Sequence, residues 1–159
     1  MSEPSWLTQA RSYIGMAEVH GAQHNPRILR LWTAIRAPFT DDETPWCAAF
    51  VGGCLEAAGV KSSRSAAARS YLKWGSKLTR PVQGCVVVFE RGPVNGHVAF
   101  LVGFYGANPV CLGGNQGDAV NVKTFDAARV LGYRWPADVP LADVAPAQLA
   151  QAARSSAEA

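Results

Sequence analysis

The chain has 159 residues, 48% hydrophobic and 17% charged, which is enough apolar side chain for one folded core and too much for a disordered segment. Its formal net charge of +3 is spread without a Lys/Arg block, which argues against a dedicated nucleic-acid binder and leaves a weak preference for an anionic partner. No apolar run approaches the roughly 18–20 residues that span a membrane, and the start, MSEPSWLTQARSY, lacks a basic segment followed by an apolar one.

In chain order, residues 4–15 predict a first helix, with Trp6, Leu7, Ala10, Tyr13 and Ile14 at helical spacing and Gly15 at its end. His20 and His24 fall in a polar loop, as surface or hydrogen-bonding residues. Asn25 then caps a second helix whose first residue is Pro26; Ile28, Leu31, Trp32 and Ile35 form its apolar face and Pro38 stops it. The next segment, TDDETPWCAAFVGGCLEAAGV, has the same grammar. Thr44 is expected as N-cap, Pro45 as the first helical residue and Gly59 just past the end. Residues 63–75 predict a fourth short helix.

The pattern then turns to strands. GCVVVFERG, HVAFLVGFYG, NPVCLGGNQG, AVNVKTF and VLGYRW are separated by turn residues, and Pro136 ends the last. Helices first and antiparallel strands afterwards predict an α+β domain: N-terminal helices packed on a meandering antiparallel sheet of about five to six strands. The domain is expected to span residues 1–136. Residues 137–159 form an Ala-rich tail, partly helical or disordered.

Four cysteines stand at 47, 54, 85 and 111, with no C-x-x-C pair, so neither a zinc knuckle nor a disulfide framework is expected. Positions 47, 50, 51, 54, 55 and 58 share one helix face. Cys54 is then core, whereas Cys47 lies at the stripe's end, pointing to the sheet's edge. There the helix dipole would lower its thiol pKa and make it a nucleophile. Gly52 and Gly53 are expected to admit another backbone.

A nucleophilic thiol needs a base. His97 opens a strand beside a turn, on one face with Ala99 and Leu101; if the Cys47 helix covers that face, the two can meet. In CLGGNQGD, Asn115, Gln116 or Asp118 could accept the ring N–H and fix the imidazole tautomer; equally, GGNQG could be a tight turn. Glu43 could hold a substrate amine or be a solvated charge. Trp46 could line a groove or pack.

The ordered set TPWCAAFV, GCVVVFERG, GHVAFLVG, LGGNQGDAVNV and LGYRWP resembles the papain-like cell-wall cysteine peptidases of the CHAP and NlpC type. The opening SWLTQARSYIGMAEVHGAQHNPRIL is similar to their small phage endolysin-like branch, and the resemblance covers about residues 4 to 136. It implies hydrolysis of an amide bond in peptidoglycan stem peptides, with Cys47 as nucleophile, His97 as base and Asn115 as third member. Trp46, Glu43 and Gln116 are the candidate substrate-binding residues. The Cys47 N–H would serve an oxyanion hole, and no metal or cofactor is implied. Trp46-Cys47-Ala48 departs from the Asp-Cys-Ser of many NlpC-type members, which weakens transfer of their bond preference.

The expectation is therefore a monomeric phage lysis enzyme or antibacterial effector. It would be made in the bacterial cytoplasm without a signal peptide and would act on the wall after release or delivery. Neither nucleic-acid binding nor membrane insertion is expected, and an inhibitor or holin-type helper is left open. The rival readings are a non-catalytic virion or wall-binding module, and a deubiquitinase-like or transglutaminase-like enzyme with the same triad.

Overall fold

The computed structural model describes residues 3–19, 21 and 23–141. The expected α+β architecture is present. Helices α1 (Ser5–Arg11), α2 (Pro26–Ala34) and α3 (Cys47–Ala57) precede a 3-10 helix (Ala68–Lys73) and six strands. These are β1 (Ser76–Lys77), β2 (Val86–Arg91), β3 (Asn95–Tyr105), β4 (Asn108–Gly113), β5 (Asn121–Thr124) and β6 (Val130–Trp135). They form one antiparallel sheet in the order β1-β6-β2-β3-β4-β5. Strands β2 to β5 meander as expected, while β6 returns to the far side of β2. The two-residue β1 was not legible in the sequence pattern. No helix among the described residues is long and apolar enough to cross a membrane. The tail from residue 142 onward and His20 lie outside the described residues.

Local signals account for most boundaries. The Asn25 side chain accepts from the Arg27 N–H, and Pro26 occupies the first helical position. The first helix is shorter than expected and passes into turns after Arg11. The fourth helix is reduced to a 3-10 segment. The start of α3 requires a correction. Thr44 does not cap it, because Asp41 takes the Thr44 N–H at 2.6 Å, the Thr44 hydroxyl at 3.1 Å and the Glu43 N–H at 2.9 Å. Trp46 is the N-cap residue, its carbonyl accepting from Phe50 N–H at 2.9 Å, and Cys47 is the first helical residue rather than the third.

Helix α3 has no solvent face over most of its length: every residue from Cys47 to Leu55 is buried. Helices α1 and α2 cover it on one side and the sheet on the other. The close approach at Gly52 and Gly53 comes from side chains, not from a backbone as expected. A Cβ at Gly52 would strike Ile35, the residue that caps the end of α2, and one at Gly53 would lie 2.5 Å from Leu31. On the sheet side, Phe50 meets Phe100 edge-on with centroids 6.3 Å apart. Gly114, just beyond β4, lets the helix settle there: a Cβ would lie 2.6 Å from both Phe50 Cβ and Trp46 Cζ3.

Both atoms are on the rigid helix start, so the clash cannot be relieved by rotating a flexible chain end. Gly114→Ala is expected to lower stability by about 1–3 kcal/mol, the usual cost of overpacking, as measured by urea unfolding. An unchanged midpoint would show that α3 is not held this closely.

Candidate active site

Cys47 and His97 come to neighbouring positions of one strand, Cys47 against the backbone of Val98, with no hydrogen bond between thiol and imidazole. Cys47, 4% exposed, lies at the floor of a groove with a cavity volume of about 430 Å³. Its walls are Thr44 and Pro45 on one side, Ala66 to Arg69 on another, and Arg91 with Val94, Asn95 and Gly96 on the β2–β3 hairpin. His97 is fully buried in β3.

The faces of the sheet differ from the expectation. Phe89 pairs with His97 and Arg91 with Asn95, so these residues share one face with Ala99. A Cβ at Gly113 would meet Ala99 and Gln116, which puts Gln116 on that face too. Helix α3 packs on the opposite face, through Phe50 on Phe100. It therefore does not cover the His97 face. Cys47 instead reaches the sheet at an edge, as its place at the stripe's end predicted. The ladder between β3 and β4 runs no further than Phe100 opposite Leu112. Beyond it, the backbone N–H of Val98 is free to favour the Cys47 thiolate. The sulfur thus meets the backbone of β3 at Val98, one residue on from His97.

The side chain that holds the imidazole is Gln116, not Asn115. Gln116 Oε1 lies 2.9 Å from His97 Nε2. The amide cannot be turned round, because its Nε2 donates at 2.9 Å to both the carbonyl and the side-chain oxygen of Asn121. Asn121 Nδ2 in turn donates to the Gln116 carbonyl at 2.7 Å. Gln116 Oε1 can only accept, so the His97 proton is on Nε2 and Nδ1 carries the lone pair. That Nδ1 is buried without a hydrogen-bond partner. Gly113 makes the arrangement possible, since a Cβ there would collide with Gln116 Oε1. Asn115 takes the left-handed turn conformation beside it, at φ 58°. Both readings of GGNQG therefore hold: it is a turn, and it delivers the orienting amide one residue later than expected.

The remaining expected residues do other work. Trp46 is fully buried, with its ring against the Gly114 position and its Nε1 donating to Glu18 at 2.9 Å, so it packs and does not line the groove. Gln116 is spent on His97 and Asn121 and is not free for substrate. Glu43 is exposed and outside the groove wall. Cys54, Cys85 and Cys111 are buried core thiols. His24 hydrogen-bonds Asp42 at 3.0 Å in the loop ahead of α2.

Burial sets the protonation states. It pushes the Cys47 thiol up, against the Val98 N–H, the positive charge of Arg91 and the N–H groups of Ala48 and Cys47. The expected lowering by the helix start comes from these N–H groups but loses to burial. Burial also takes His97 down to about 4, outweighing the Gln116 hydrogen bond, with Arg91, Arg129 and Lys123 adding repulsion. Phe125 and Phe89 supply the apolar walls, stacked at 5.2 and 6.1 Å from the ring. Thiol and imidazole are therefore both neutral at pH 7.

A thiol at a helix start and a strand histidine whose tautomer is held by a side-chain amide are the parts that a papain-like thiol hydrolase uses. Residues 39–115, from just before Asp41 to the turn after β4, match the family model of the CHAP domain. The CHAP part of the resemblance read from the sequence therefore holds over this stretch, which contains Cys47 and His97. CHAP is a papain-like cysteine peptidase and amidase family of cell-wall hydrolysis, so the match points to hydrolase activity on peptidoglycan. No curated protein matches the chain.

Sequence reasoning missed the Gln116–Asn121 exchange, the aromatic walls of His97 and the arginines of the groove. The first had a faint signal in the Gln and Asn flanking a short turn. The others join residues far apart in the chain.

Two measurements follow. Gln116→Leu is expected to reduce kcat by roughly 10²-fold, the lower range for a positioned acid–base group, while Asn115→Gly, which suits the positive φ, retains most activity. The reverse ranking would return the role to Asn115. Secondly, imidazole NMR should show His97 titrating near pH 4 and His24, raised by its Asp42 hydrogen bond, above its ordinary value. A folded-state pKa below the unfolded one contributes stability above about pH 6.5 that is lost as pH falls toward 4. For His97 that loss is about 3 kcal/mol.

Proposed function

We propose that the protein is a peptidoglycan hydrolase that cuts an amide bond of the stem peptide, as endopeptidase or amidase, with Cys47, His97 and Gln116 as its working set. The observation that carries this reading is the hydrogen bond from His97 Nε2–H to Gln116 Oε1 at 2.9 Å, which leaves Nδ1 as the free base next to the residue that meets Cys47. A side chain held this way has no structural need of an open lone pair. A general base does.

The chemistry follows from two neutral groups. As substrate closes the groove, Nδ1 takes the proton from Sγ while Sγ bonds to the scissile carbonyl carbon. The amide oxygen becomes negative beside the Cys47 N–H, the first unpaired donor of α3. The C–N bond then breaks, the imidazolium proton leaves with the amine, and an acyl-thiol remains. Water, deprotonated by the same Nδ1, adds to the acyl carbon; the acid departs and the thiol regains its proton. Gln116 and Asn121 keep the ring in one tautomer through both halves. A neutral resting pair moves its proton during attack, so no charge is held in the buried site before substrate arrives.

On this reading the protein acts on the wall after release or delivery, in phage lysis or as an antibacterial effector. Mass spectrometry of products from digested sacculi tests it. The wild-type protein is expected to release new amino termini or free stem peptides. Cys47→Ala should reduce that rate by at least about 10³-fold while circular dichroism stays unchanged. Saturable binding to sacculi with no product would instead favour a wall-binding module.

A further inference from the structure

The groove over Cys47 carries two arginines and no carboxylate among its lining residues. Their situations differ. Arg69 is committed: its Nε donates to the Asn95 carbonyl and its Nη2 to the Gly92 carbonyl, both at 2.9 Å, tying the β2–β3 turn to the 3-10 helix. Arg91, the last residue of β2, is exposed and takes part in none of the ion pairs among the described residues. It projects from the face that carries His97, two positions along β2 from the residue paired with His97. Its charge acts on both reacting groups, favouring the thiolate of Cys47 and opposing protonation of His97, in each case second to burial and hydrogen bonding.

The Arg91 guanidinium lines the same groove as Cys47, the groove that would receive substrate on the hydrolase reading. A planar fork of N–H donors suits a carboxylate. We propose that Arg91 is a specificity residue that recognises a free carboxylate of the substrate peptide close to the bond that is cut. The groove then prefers stem peptides in the carboxylate form over the same peptides carrying carboxamides. Arg69, by fixing the turn, holds Arg91's strand end in place. The inference rests on the hydrolase reading for its substrate class, but it can be tested without turnover.

Soluble peptides released from sacculi would be prepared in two forms, native and with carboxylates converted to carboxamides. Full-length Cys47→Ala protein binds each, followed by calorimetry. The carboxylate form is expected to bind at least about tenfold tighter, the range of one charge-assisted contact. Arg91→Gln in the same background should erase the difference, and Arg91→Lys should restore part of it. Equal affinity for the two forms, or an Arg91→Gln change that weakens both alike, overturns the proposal. Wild-type turnover of the same two preparations is measured in parallel. Absence of any product there removes the hydrolase reading, while the binding comparison still decides the role of Arg91.

Discussion

The constraint on which the rest depends is the burial of α3 from Cys47 to Leu55. A helix with a solvent face can slide or tilt at little cost. One enclosed by α1, α2 and the sheet cannot, because a shift in any direction opens a void or forces an overlap. Leu31 and Ile35 press on Gly52 and Gly53 from one side, and the sheet receives Trp46 and Phe50 over Gly114 from the other. The position of Cys47 is thereby set by the packing of some ten residues behind it. The loop ahead contributes separately. Asp41 gathers the Glu43 and Thr44 donors and so delays the helix until Cys47.

The same enclosure decides the electrostatics. A thiolate–imidazolium pair would be two charges in an apolar site with few donors to receive them. Burial instead holds both groups neutral, against N–H groups that favour the thiolate and an amide that favours the imidazolium. What the protein retains is orientation. The Gln116–Asn121 exchange is closed on itself, with every amide hydrogen bond mutually compatible, and it leaves a single open valence at His97 Nδ1. Gly113 and Gly114 serve the two faces of the sheet in turn. One clears space for Gln116 beside His97, the other for α3. A pair of glycines that reads as a loop signal is thus the point where the helix of Cys47 and the amide that holds His97 are both accommodated.

Much of this was legible in the sequence where the signal is local. The Asn25-Pro26 helix start, the period-two strands and the helices-then-strands order depend on neighbours a few positions apart. The apolar stripe ending in Cys47 and the strand opening at His97 had the same character. Errors fell where a local preference met a competing partner. Thr44 is a good cap, but Asp41 is closer to its donors. Asn115 is a good orienter, but its left-handed backbone turns the next side chain toward His97. Trp46 is large enough for a groove wall, but Glu18 and Gly114 provide it with a buried place.

The sequence by itself determined the α+β class, the helix that begins at Cys47 and the strand that carries His97, because helix starts and strand alternation are written over three to eight consecutive residues. Only the tertiary structure decided that Gln116 holds the imidazole, that both reacting groups rest neutral, and that Arg91 stands unpaired beside them. Each of these follows from the proximity of groups far apart along the chain and from the exclusion of water between them, and neither quantity is carried by any short stretch of residues.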